Sequence, residues 1–302
     1  MAELTGGVLC FNKPKGCTSH DIIYRVRKLY GTKQVGHTGT LDPLASGVLV
    51  VMVGRAVKAS EHLSADTKEY VAEIKLGLTT DTEDITGTVT SEYGGEMPSP
   101  DEVKRVCEKF VGDIMQVPPM YSALKVDGKK RLDIARKGGE VERQARAVRV
   151  DRLEVYETDD PTVYRLLTRV SKGTYIRTLC ADIGKALGTG AVMKELTRTS
   201  AGSFGIEDAL TEQALSEMTV EERYGQLRPV ETLFEENEGV TLSDFFAKLA
   251  SCGCEIYQRK IKTNIKDGEL VRLYDKNGFF ALGRVTEYPD GSAIKPIKQF
   301  RI

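Results

Sequence analysis

The stretch GHTGTLDPLASGVLVV, residues 36–51, joins a loop of unusual composition to an apolar strand. Its first twelve residues hold three glycines, two threonines and the Asp42-Pro43 pair, and an apolar run follows. A short apolar run after a glycine is typical of a buried strand, and loops at the ends of core strands commonly hold functional side chains. The stretch therefore raises the question of what Asp42 does at this place.

Asp42 has one structural interpretation and several chemical ones. An aspartate before proline often starts a helix, but only residues 43–47 precede the next strand, which is enough for about one turn. A glycosidase site needs a second carboxylate, and none is marked by its surroundings. Aspartyl-phosphate enzymes carry their nucleophile ahead of a similar TGTL sequence, where this chain has Gly36 and His37. From the residues alone, a helix cap and a single nucleophilic carboxylate both remain open.

Composition limits the class of protein. A chain of 302 residues, 40% hydrophobic, suffices for one large domain or for a large and a small one. No apolar run approaches the ~20 residues of a membrane span, and no signal-peptide pattern is visible. The six cysteines form no CxxC pair, and the three histidines lack metal-ligand spacing. We therefore expect a cytoplasmic protein with free thiols, no membrane contact and no metal site.

The net charge of −1 conceals two segments of opposite sign. Residues 122–149 hold nine lysines and arginines and four acidic residues, whereas residues 211–238 hold two arginines and eight glutamates. A basic segment in a neutral protein is typical of a nucleic-acid contact, but a solvated helix and loop can have the same composition. Composition alone leaves both interpretations open.

Hydrophobic periodicity predicts an α+β fold with a mixed sheet, because strands outnumber helices and neighbouring strands often pair locally. We predict strands in residues 6–13, 47–54, 68–77, 147–157 and 162–173, and helices in residues 18–31, 55–64, 99–112 and 174–188. The acidic segment at residues 211–238 is predicted to form helices and a connection. The tail from about residue 240 predicts a helix and short strands with Lys-Asn-Gly and Pro-Asp-Gly turns, which suits a small β-barrel module.

A nucleophilic carboxylate that works without a metal or a histidine base needs a group that keeps it ionised in a dry pocket. The segment SKGTYIRTL offers Arg177 with Tyr175 beside it, and KEYVAEIKLG offers Tyr70 at the start of a strand. Taken singly, Arg177 is also typical of a surface ion pair, and Tyr70 is also typical of an ordinary aromatic residue in a strand. Their assignment depends on the motifs that surround them.

Five motifs resemble, in order and spacing, those of the TruB-type tRNA pseudouridine-55 synthases from about residue 7 to residue 205. The motifs are NKPKGCTSHDIIYRVRK, GHTGTLDPLASGVLVV, KEYVAEIKLGLTTDTEDITG, VPPMYSALKVDGKK and SKGTYIRTLCADIG. The tail resembles a PUA-type RNA-binding module. The resemblance implies a mixed-sheet pseudouridine synthase fold, with a catalytic domain at residues 1–238 and a small PUA-like β-barrel domain at residues 239–302.

The resemblance also implies a reaction. A uridine in the T loop of tRNA, at position 55, is detached at N1 and rejoined through C5 without a cofactor. Asp42 is the implied nucleophile and Arg177 its ion-pair partner. Tyr70 is implied to stack on the base and to take the C5 proton. His37 is implied to fill the stack that the flipped uridine leaves, a flip that costs a few kcal/mol.

Further residues are implied on the substrate side. The resemblance assigns loop support or substrate contact to Lys13, Pro14, Tyr175 and Leu196. Thr197 departs from the pattern, because the family often has arginine at that position. The basic residues 125–149 form an insertion between core elements, and we expect a flap that closes on the T arm. Its candidate phosphate contacts are Lys129, Lys130 and Arg131.

Three kinds of protein share these motifs. The catalytic subunit of a guide-RNA particle usually carries terminal extensions for protein partners, whereas the first predicted strand here begins within ten residues of Met1. A non-catalytic tRNA-binding or tRNA-folding module could lose Asp42, but this chain keeps Asp42, Tyr70 and Arg177 together. We therefore expect a standalone enzyme that acts on the T arm of tRNA without an obligate protein partner.

Overall fold

The computed structural model describes residues 6–63, 67–119, 125–126, 129–130 and 143–301. The α-helices are α1 (Ser19–Leu29), α2 (Pro100–Glu108), α3 (Ile176–Leu187), α4 (Glu212–Glu217), α5 (Val220–Gly225), α6 (Asp244–Ser251) and α7 (Gln258–Ile261), and 3₁₀ segments cover Arg55–His62, Ile206–Asp208 and Val230–Phe234. The strands are β1 (Gly6–Lys13), β2 (Val35–His37), β3 (Ser46–Gly54), β4 (Lys68–Leu76), β5 (Leu78–Thr80), β6 (Val89–Glu92), β7 (Gly112–Gln116), β8 (Lys125–Val126), β9 (Lys129–Lys130), β10 (Arg146–Glu157), β11 (Val163–Val170), β12 (Ala191–Ala201), β13 (Phe204–Gly205), β14 (Glu238–Thr241), β15 (Ile256–Tyr257), β16 (Leu270–Asp275), β17 (Gly278–Tyr288) and β18 (Gly291–Gln299).

A nine-stranded mixed sheet forms the larger part of the molecule. Its main path runs β1-β3-β12-β4-β11-β10-β7, with β2 on β3 and β13 on β12. The pair β3–β12 is parallel and the other pairs in this sheet are antiparallel. The prediction of an α+β fold with a mixed sheet is confirmed, and β10 and β11 form an antiparallel pair.

Burial in the strands follows their composition. Strands β1 and β3 are almost continuous apolar runs and are buried on both faces. Strand β4 alternates, so that Tyr70, Ala72, Ile74 and Leu76 point inward while the residues between them stay partly exposed. The short helix predicted at residues 55–64 is present as a 3₁₀ helix over Arg55–His62.

The two faces of the large sheet are covered differently. Helices α1, α2 and α3 pack on one face, where Ile22, Val103 and Leu179 join the main core. On the opposite face, Phe234, Leu282 and Phe300 pack against residues of β1 and β3. Because Leu282 and Phe300 belong to the C-terminal part of the chain, that part is docked on the back of the sheet.

The C-terminal part contains a five-stranded sheet in the order β14-β16-β17-β18-β15. Strands β14 and β16 pair in parallel, and the hairpins β16–β17 and β17–β18 are antiparallel. Helices α6 and α7 cover this sheet around an apolar cluster that includes Val240, Leu273 and Val285. The helix and short strands predicted from residue 240 onward are therefore present.

The basic insertion is described only at its start and its end. Residues Lys125–Val126 pair with Lys129–Lys130 in a short antiparallel ladder, and the chain is described again from residue 143. Arg131 and the central residues of the expected flap lie outside the described residues. In the described part of the chain, each helix is too short or too polar to cross a bilayer.

Candidate active site

Asp42 lies on the loop of residues 38–45, between β2 and β3, and the backbone beside it is fixed by α1. The amide of Leu41 donates to Ser19 Oγ at 2.8 Å, and the same hydroxyl donates back to the carbonyl of Leu41 at 2.9 Å. Ser19 is buried in the first turn of α1. The amide of Ala45 donates to the carbonyl of Asp42, which closes the turn. One buried hydroxyl therefore sets the position of the aspartate backbone.

Lys13 supports the loop from below. Its side chain is fully buried, and Nζ donates to the carbonyls of Pro14 and Ala45 at 2.9 and 2.6 Å. Burial lowers the pKa of this ammonium group. The amide of Gly16 also donates to the carbonyl of Pro43 at 2.8 Å. The NKPKG segment and the loop that carries Asp42 are thus joined by direct hydrogen bonds.

Arg177 forms the ion pair at the centre of the site. Its Nε lies 2.9 Å from Asp42 Oδ2, and the arginine side chain is 5% exposed while that of Asp42 is 37% exposed. Nη1 donates to the carbonyl of Thr82 at 3.1 Å and lies 3.8 Å from Asp84 Oδ2. The guanidinium is therefore held from behind by the fold and presents one edge to Asp42.

Asp84 is a second carboxylate that the sequence analysis missed. Its side chain is 9% exposed, and Oδ1 accepts hydrogen bonds from Thr82 Oγ1 and from the amide and hydroxyl of Thr86. The segment TTDTEDITG, residues 79–87, is polar in composition. Alternating Thr and Asp was the available signal, because such residues form hydrogen-bonded turns of this kind.

The neighbouring Glu83 connects this turn to α3. Its backbone has a φ of +63°, a conformation that non-glycine residues rarely adopt. Thr178, the residue after Arg177, donates through Oγ1 to Glu83 Oε2 at 2.6 Å. Burial raises the pKa of the Glu83 carboxyl, and this outweighs the Thr178 hydrogen bond and the nearby positive charge. The turn and the start of α3 therefore form one unit around the arginine.

Gln116 fixes the N-terminus of α3. The fully buried amide donates through Nε2 to the carbonyl of Tyr175 at 3.0 Å and accepts at Oε1 from the Tyr175 amide at 2.8 Å. Tyr175 is the residue immediately before α3, and the Arg146 guanidinium lies 5.0 Å from its ring centroid. This two-point contact from the edge strand β7 positions the helix turn that carries Arg177.

A cavity of about 250 Å³ opens above the ion pair. Its walls bring together candidates from four segments of the chain. The lining consists of Thr38, Gly39, Thr40, Leu41, Asp42, Lys68, Tyr70, Lys172, Gly173, Thr174, Tyr175, Ile176, Arg177, Leu196 and Arg198. Asp42, Tyr70, Tyr175, Arg177 and Leu196 therefore share one cavity.

The other candidates lie outside this lining. Lys13 contacts the loop from below, and the carbonyl of Pro14 accepts from Lys13 Nζ. His37 ends β2, one residue before Thr38. Burial and then the charge of Arg198 lower the pKa of His37, which favours its neutral form. Of the three flap candidates, Arg131 is outside the described residues, and the structure describes only the backbone pairing of Lys129–Lys130.

Arg198 is a lining residue that the sequence analysis did not select. Its side chain is 1% exposed, and Nε and Nη2 donate to the carbonyls of Val48 and Gly39 at 2.7 and 3.2 Å. These two carbonyls lie on either side of the loop that carries Asp42. Gly47 has a φ of +100°, and a Cβ there would lie 2.2 Å from the Arg198 carbonyl oxygen, so only glycine fits this close strand contact.

The chemistry of the cavity is that of a carboxylate held by an arginine beside an aromatic ring. Within the described part of the chain, no group of three or more His, Cys, Asp or Glu side chains is placed to hold a metal ion. The donors that surround Asp42 are organic cations and hydroxyls. The arrangement suits a nucleophilic carboxylate that works on a planar substrate.

Comparisons with known proteins agree with this geometry. The model for the N-terminal domain of TruB family pseudouridylate synthases matches residues 27–176, and that for the C-terminal domain of tRNA pseudouridylate synthase B matches residues 177–235. The chain is 38% identical to tRNA pseudouridine synthase B of Clostridium tetani over 93% of this chain and 96% of the relative. It is 44% identical to the protein of that name from Bacillus licheniformis, over 82% of each chain.

Solved structures show the same likeness. A crystal structure of a Cbf5-Nop10-Gar1 complex contains a chain similar at a TM-score of 0.76 and 29% identity, which covers 98% of this chain and 85% of that one. An H/ACA RNP bound to a substrate RNA containing 2′-deoxyuridine contains a chain similar at a TM-score of 0.72 and 26% identity, covering 99% and 86%. Together, the family models and the close relatives show that this chain belongs to the TruB family of pseudouridylate synthases.

Proposed function

We propose that this chain is a tRNA pseudouridine synthase that isomerises the T-loop uridine at position 55, with Asp42 as the nucleophile. The observation that carries the proposal is the 2.9 Å ion pair between Asp42 and Arg177 at a cavity lined by the ring of Tyr70. The relatives named tRNA pseudouridine synthase B supply the substrate class.

In the proposed reaction the bond between C1′ and N1 breaks, the ring turns, and C1′ is joined to C5. Asp42 reacts either at C1′ of the ribose or at C6 of the pyrimidine, and its bond to the substrate breaks again before product release. The hydrogen on C5 then leaves as a proton. N1 takes up a proton in turn, so no atom is gained or lost overall and the reaction needs no cofactor.

Arg177 orients the nucleophile and pairs with its charge. The Nε edge faces Asp42, while Nη1 is used by Thr82 and Asp84 behind it. Because the guanidinium is almost completely shielded from solvent, its attraction to the carboxylate is stronger than that of a surface pair. The open edge of Asp42 is then free for the substrate.

Tyr70 lies on β4, on the side of the cavity formed by the sheet, and we assign it stacking on the target base and acceptance of the C5 proton. The Tyr70→Phe variant keeps the ring and removes the hydroxyl. We expect single-turnover rates to fall by about 100-fold with little change in tRNA affinity. An unchanged rate would restrict Tyr70 to stacking.

The remaining candidates act around this centre. Leu196 gives the cavity an apolar contact for the base, and Tyr175 lies where α3 begins. His37 is assigned to the stack that the flipped uridine leaves, and its neutral form suits that role because an imidazole ring can stack without carrying charge. Lys13 and Pro14 hold the loop that carries Asp42.

We assign the insertion of residues 125–149 to clamping the T arm. Replacing Lys129, Lys130 and Arg131 by alanine should weaken tRNA binding and reduce its salt slope by about 0.7–0.9 for each lost phosphate contact. The rate at saturating tRNA should change little. A matched control is Lys104→Ala in α2, an exposed lysine outside both the insertion and the C-terminal unit. A triple variant with the salt slope of the parent would refute the clamp.

The domain assignment is a catalytic unit at residues 1–238 and a PUA-like RNA-binding unit at residues 239–302. Its support is the separate five-stranded sheet, whose first strand begins at Glu238. The reaction needs one flipped uridine in a local fold, so a T-arm stem-loop should be a substrate. Complete dependence on whole tRNA would make the C-terminal unit an obligatory reader of distant tRNA structure.

A guide-RNA particle is the alternative, because chains in Cbf5 complexes share the fold. The identity to relatives named tRNA pseudouridine synthase B is higher, 38% against 29% over comparable coverage, which favours a standalone tRNA enzyme. We accordingly propose cytoplasmic action on tRNA without an obligate protein partner.

The deciding experiment measures release of hydrogen from C5. Unmodified tRNA transcripts labelled at C5 of uridine are incubated with the purified chain alone, and label in water is counted. One equivalent should be released per tRNA, and none from a transcript with cytidine at position 55. Release from the cytidine control, or none from either transcript, would contradict the proposed function.

A further inference from the structure

The cavity above Asp42 carries an excess of positive charge. Four cationic side chains and one carboxylate line it among the described residues: Lys68, Lys172, Arg177, Arg198 and Asp42. Arg177 divides its contacts between Asp42 and Asp84, so its charge is matched by the fold. A positive charge in this lining that the fold does not match would suit an anion provided by the substrate.

Arg198 is the most buried of these cations. Its side chain is 1% exposed and lies on β12, where its backbone is the register partner of Tyr70 on β4. Neighbouring residues in register on antiparallel strands point to the same face of the sheet. Arg198 and Tyr70 therefore lie side by side on the sheet wall of the cavity.

The polar contacts of Arg198 leave its charge uncompensated. Nε and Nη2 donate to two backbone carbonyls, and no described carboxylate lies within 4.0 Å of the guanidinium. A guanidinium has five donors, so further N–H groups remain beyond these two contacts. Burying a cation without an anion is unfavourable, and folds rarely retain such a group unless a ligand completes it.

The charge of Arg198 also reaches the groups around it. After burial itself, it is the next cause that lowers the pKa of His37, and it contributes to lowering the pKa of Lys13. Both groups belong to the segments that surround the catalytic loop. The positive charge of Arg198 therefore acts on other groups in this part of the site and is not cancelled by a neighbouring anion.

We propose that Arg198 stabilises the negative charge that develops on the uracil ring during the isomerisation, a proposal that rests on the function proposed above. When the bond between C1′ and N1 breaks, its electron pair stays with the ring and spreads over N1, O2 and O4. When Asp42 instead adds to C6, the ring pair moves to C5 and O4. A donor beside Tyr70 faces the ring in either path.

The balance of the reaction shows why the cation must come from the protein. The electron pair that the ring holds after cleavage forms the new bond from C5 to C1′, the C5 proton then leaves, and N1 takes up a proton. Between these events the ring is anionic, and the cation of Arg177 is already matched by two aspartates. Arg198 supplies the compensating charge without moving.

The test compares a charge-removing variant on two substrates. Arg198→Gln keeps an amide donor for the two carbonyls and removes the charge, and Arg198→Lys keeps the charge. Thr197→Val is the matched control, since it removes the 3.0 Å hydroxyl contact with Ser46 that also joins β12 to β3. Folding is checked by circular dichroism and tRNA binding, and single-turnover rates at saturating tRNA are measured with uridine or 5-fluorouridine at position 55.

Fluorine at C5 withdraws electrons and stabilises the ring anion, so the need for Arg198 should fall. We expect Arg198→Gln to slow uridine conversion by about 100-fold, as for loss of one charge-stabilising donor. On the fluorinated tRNA, cleavage of the bond from C1′ to 5-fluorouracil is measured from the nucleoside mass after digestion. Arg198→Gln should slow this cleavage by about tenfold or less. Arg198→Lys should recover most of the rate, and Thr197→Val should slow both substrates equally and slightly.

Three outcomes would overturn the proposal while the parent remains active. Equal deficits on both substrates would limit Arg198 to bracing the loop between Gly39 and Val48. A deficit confined to tRNA affinity, with a smaller salt slope, would mean that Arg198 contacts a phosphate. If Arg198→Gln does not fold, Arg198→Lys decides alone, and a deficit no smaller on the fluorinated tRNA would refute the proposal. A parent inactive on uridine tRNA would instead refute the proposed function.

Discussion

Two carboxylates flank the Arg177 guanidinium, and their surroundings are opposite. Asp42 lies on an open loop with 37% of its side chain exposed at the cavity, whereas Asp84 is 9% exposed in the turn that follows β5. Oδ1 of Asp84 accepts three hydrogen bonds from Thr82 and Thr86. One carboxylate has its acceptor capacity filled by the fold, and the other keeps it for the substrate.

The difference shows that environment, rather than residue type, separates a reactive carboxylate from a supporting one. Hydrogen-bond donors stabilise the charge of a carboxylate and reduce its tendency to attack another atom. Asp84 has those donors and no access to the cavity lining. Asp42 has one cationic partner and an exposed edge. Substitutions in the two regions should therefore have effects of very different size.

The largest effect is expected at Asp42. Asp42→Asn keeps the shape of the side chain and removes the nucleophile, so turnover should fall by at least about 10⁴-fold. Because Asp42 contributes reactivity rather than affinity, the Kd for tRNA should stay within about twofold of the parent. Release of C5 hydrogen and filter binding measure the two quantities. Turnover at more than a few per cent of the parent rate would exclude Asp42 as nucleophile.

Arg177 is shared by both regions, and its loss should rank second. Arg177→Met leaves Asp42 and Asp84 facing each other's charge without the cation between them, and we expect turnover to fall by about 10³-fold. Arg177→Lys is the control, since it keeps the charge without the second nitrogen edge, and it should recover part of the rate. A mild effect at all pH values would assign Arg177 to folding or RNA contact instead.

The same two regions show what could be predicted from sequence. The loop that carries Asp42 is marked locally by its glycines, threonines and Asp-Pro pair, and the motif around Arg177 is equally dense. The structure places these segments 2.9 Å apart at their charged atoms. The roles of Asp42 and Arg177 were predicted from local composition and from the resemblance. The contact itself joins segments far apart in the chain, and local composition does not record such a contact.

Asp84 and Arg198 could not be found in this way. The segment around Asp84 is polar, and only its packing against β12 and α3 buries it. Strand β12 contains Lys194, Glu195 and Arg198 and lacks the alternation that predicts a strand, yet it lies at the centre of the sheet between β3 and β4. Burial of a charged side chain depends on tertiary contacts, which local periodicity does not record.

Asp84→Asn should have a smaller effect than either change at the ion pair. The amide keeps the side-chain volume and an acceptor oxygen, but it removes the negative charge that helps to hold Arg177 from behind. We expect turnover to fall by about 10- to 100-fold with unchanged tRNA affinity. Single-turnover rates of this variant and of Asp42→Asn, measured side by side, test the comparison. Equal losses would show that the two carboxylates share one role.

The smallest effect on turnover is expected at Glu83, beside Asp84 in the supporting turn. Burial raises the pKa of Glu83 in the folded protein above its ordinary value, so the folded state holds this proton more tightly than the unfolded chain. The resulting contribution to stability is complete below the unfolded pKa and is lost as pH rises through the folded pKa.

Glu83→Gln removes this titration and keeps the acceptor for Thr178 Oγ1. The free energy of unfolding of the variant minus that of the parent should therefore increase between about pH 4 and pH 8, as measured by urea unfolding. Turnover should change by less than about twofold, because Glu83 contacts α3 and does not line the cavity. Asp182→Asn, a second carboxyl on α3 with a pKa raised by burial, should shift stability in the same direction. If the difference between the free energies of unfolding of variant and parent did not change with pH, burial would not raise the pKa of Glu83.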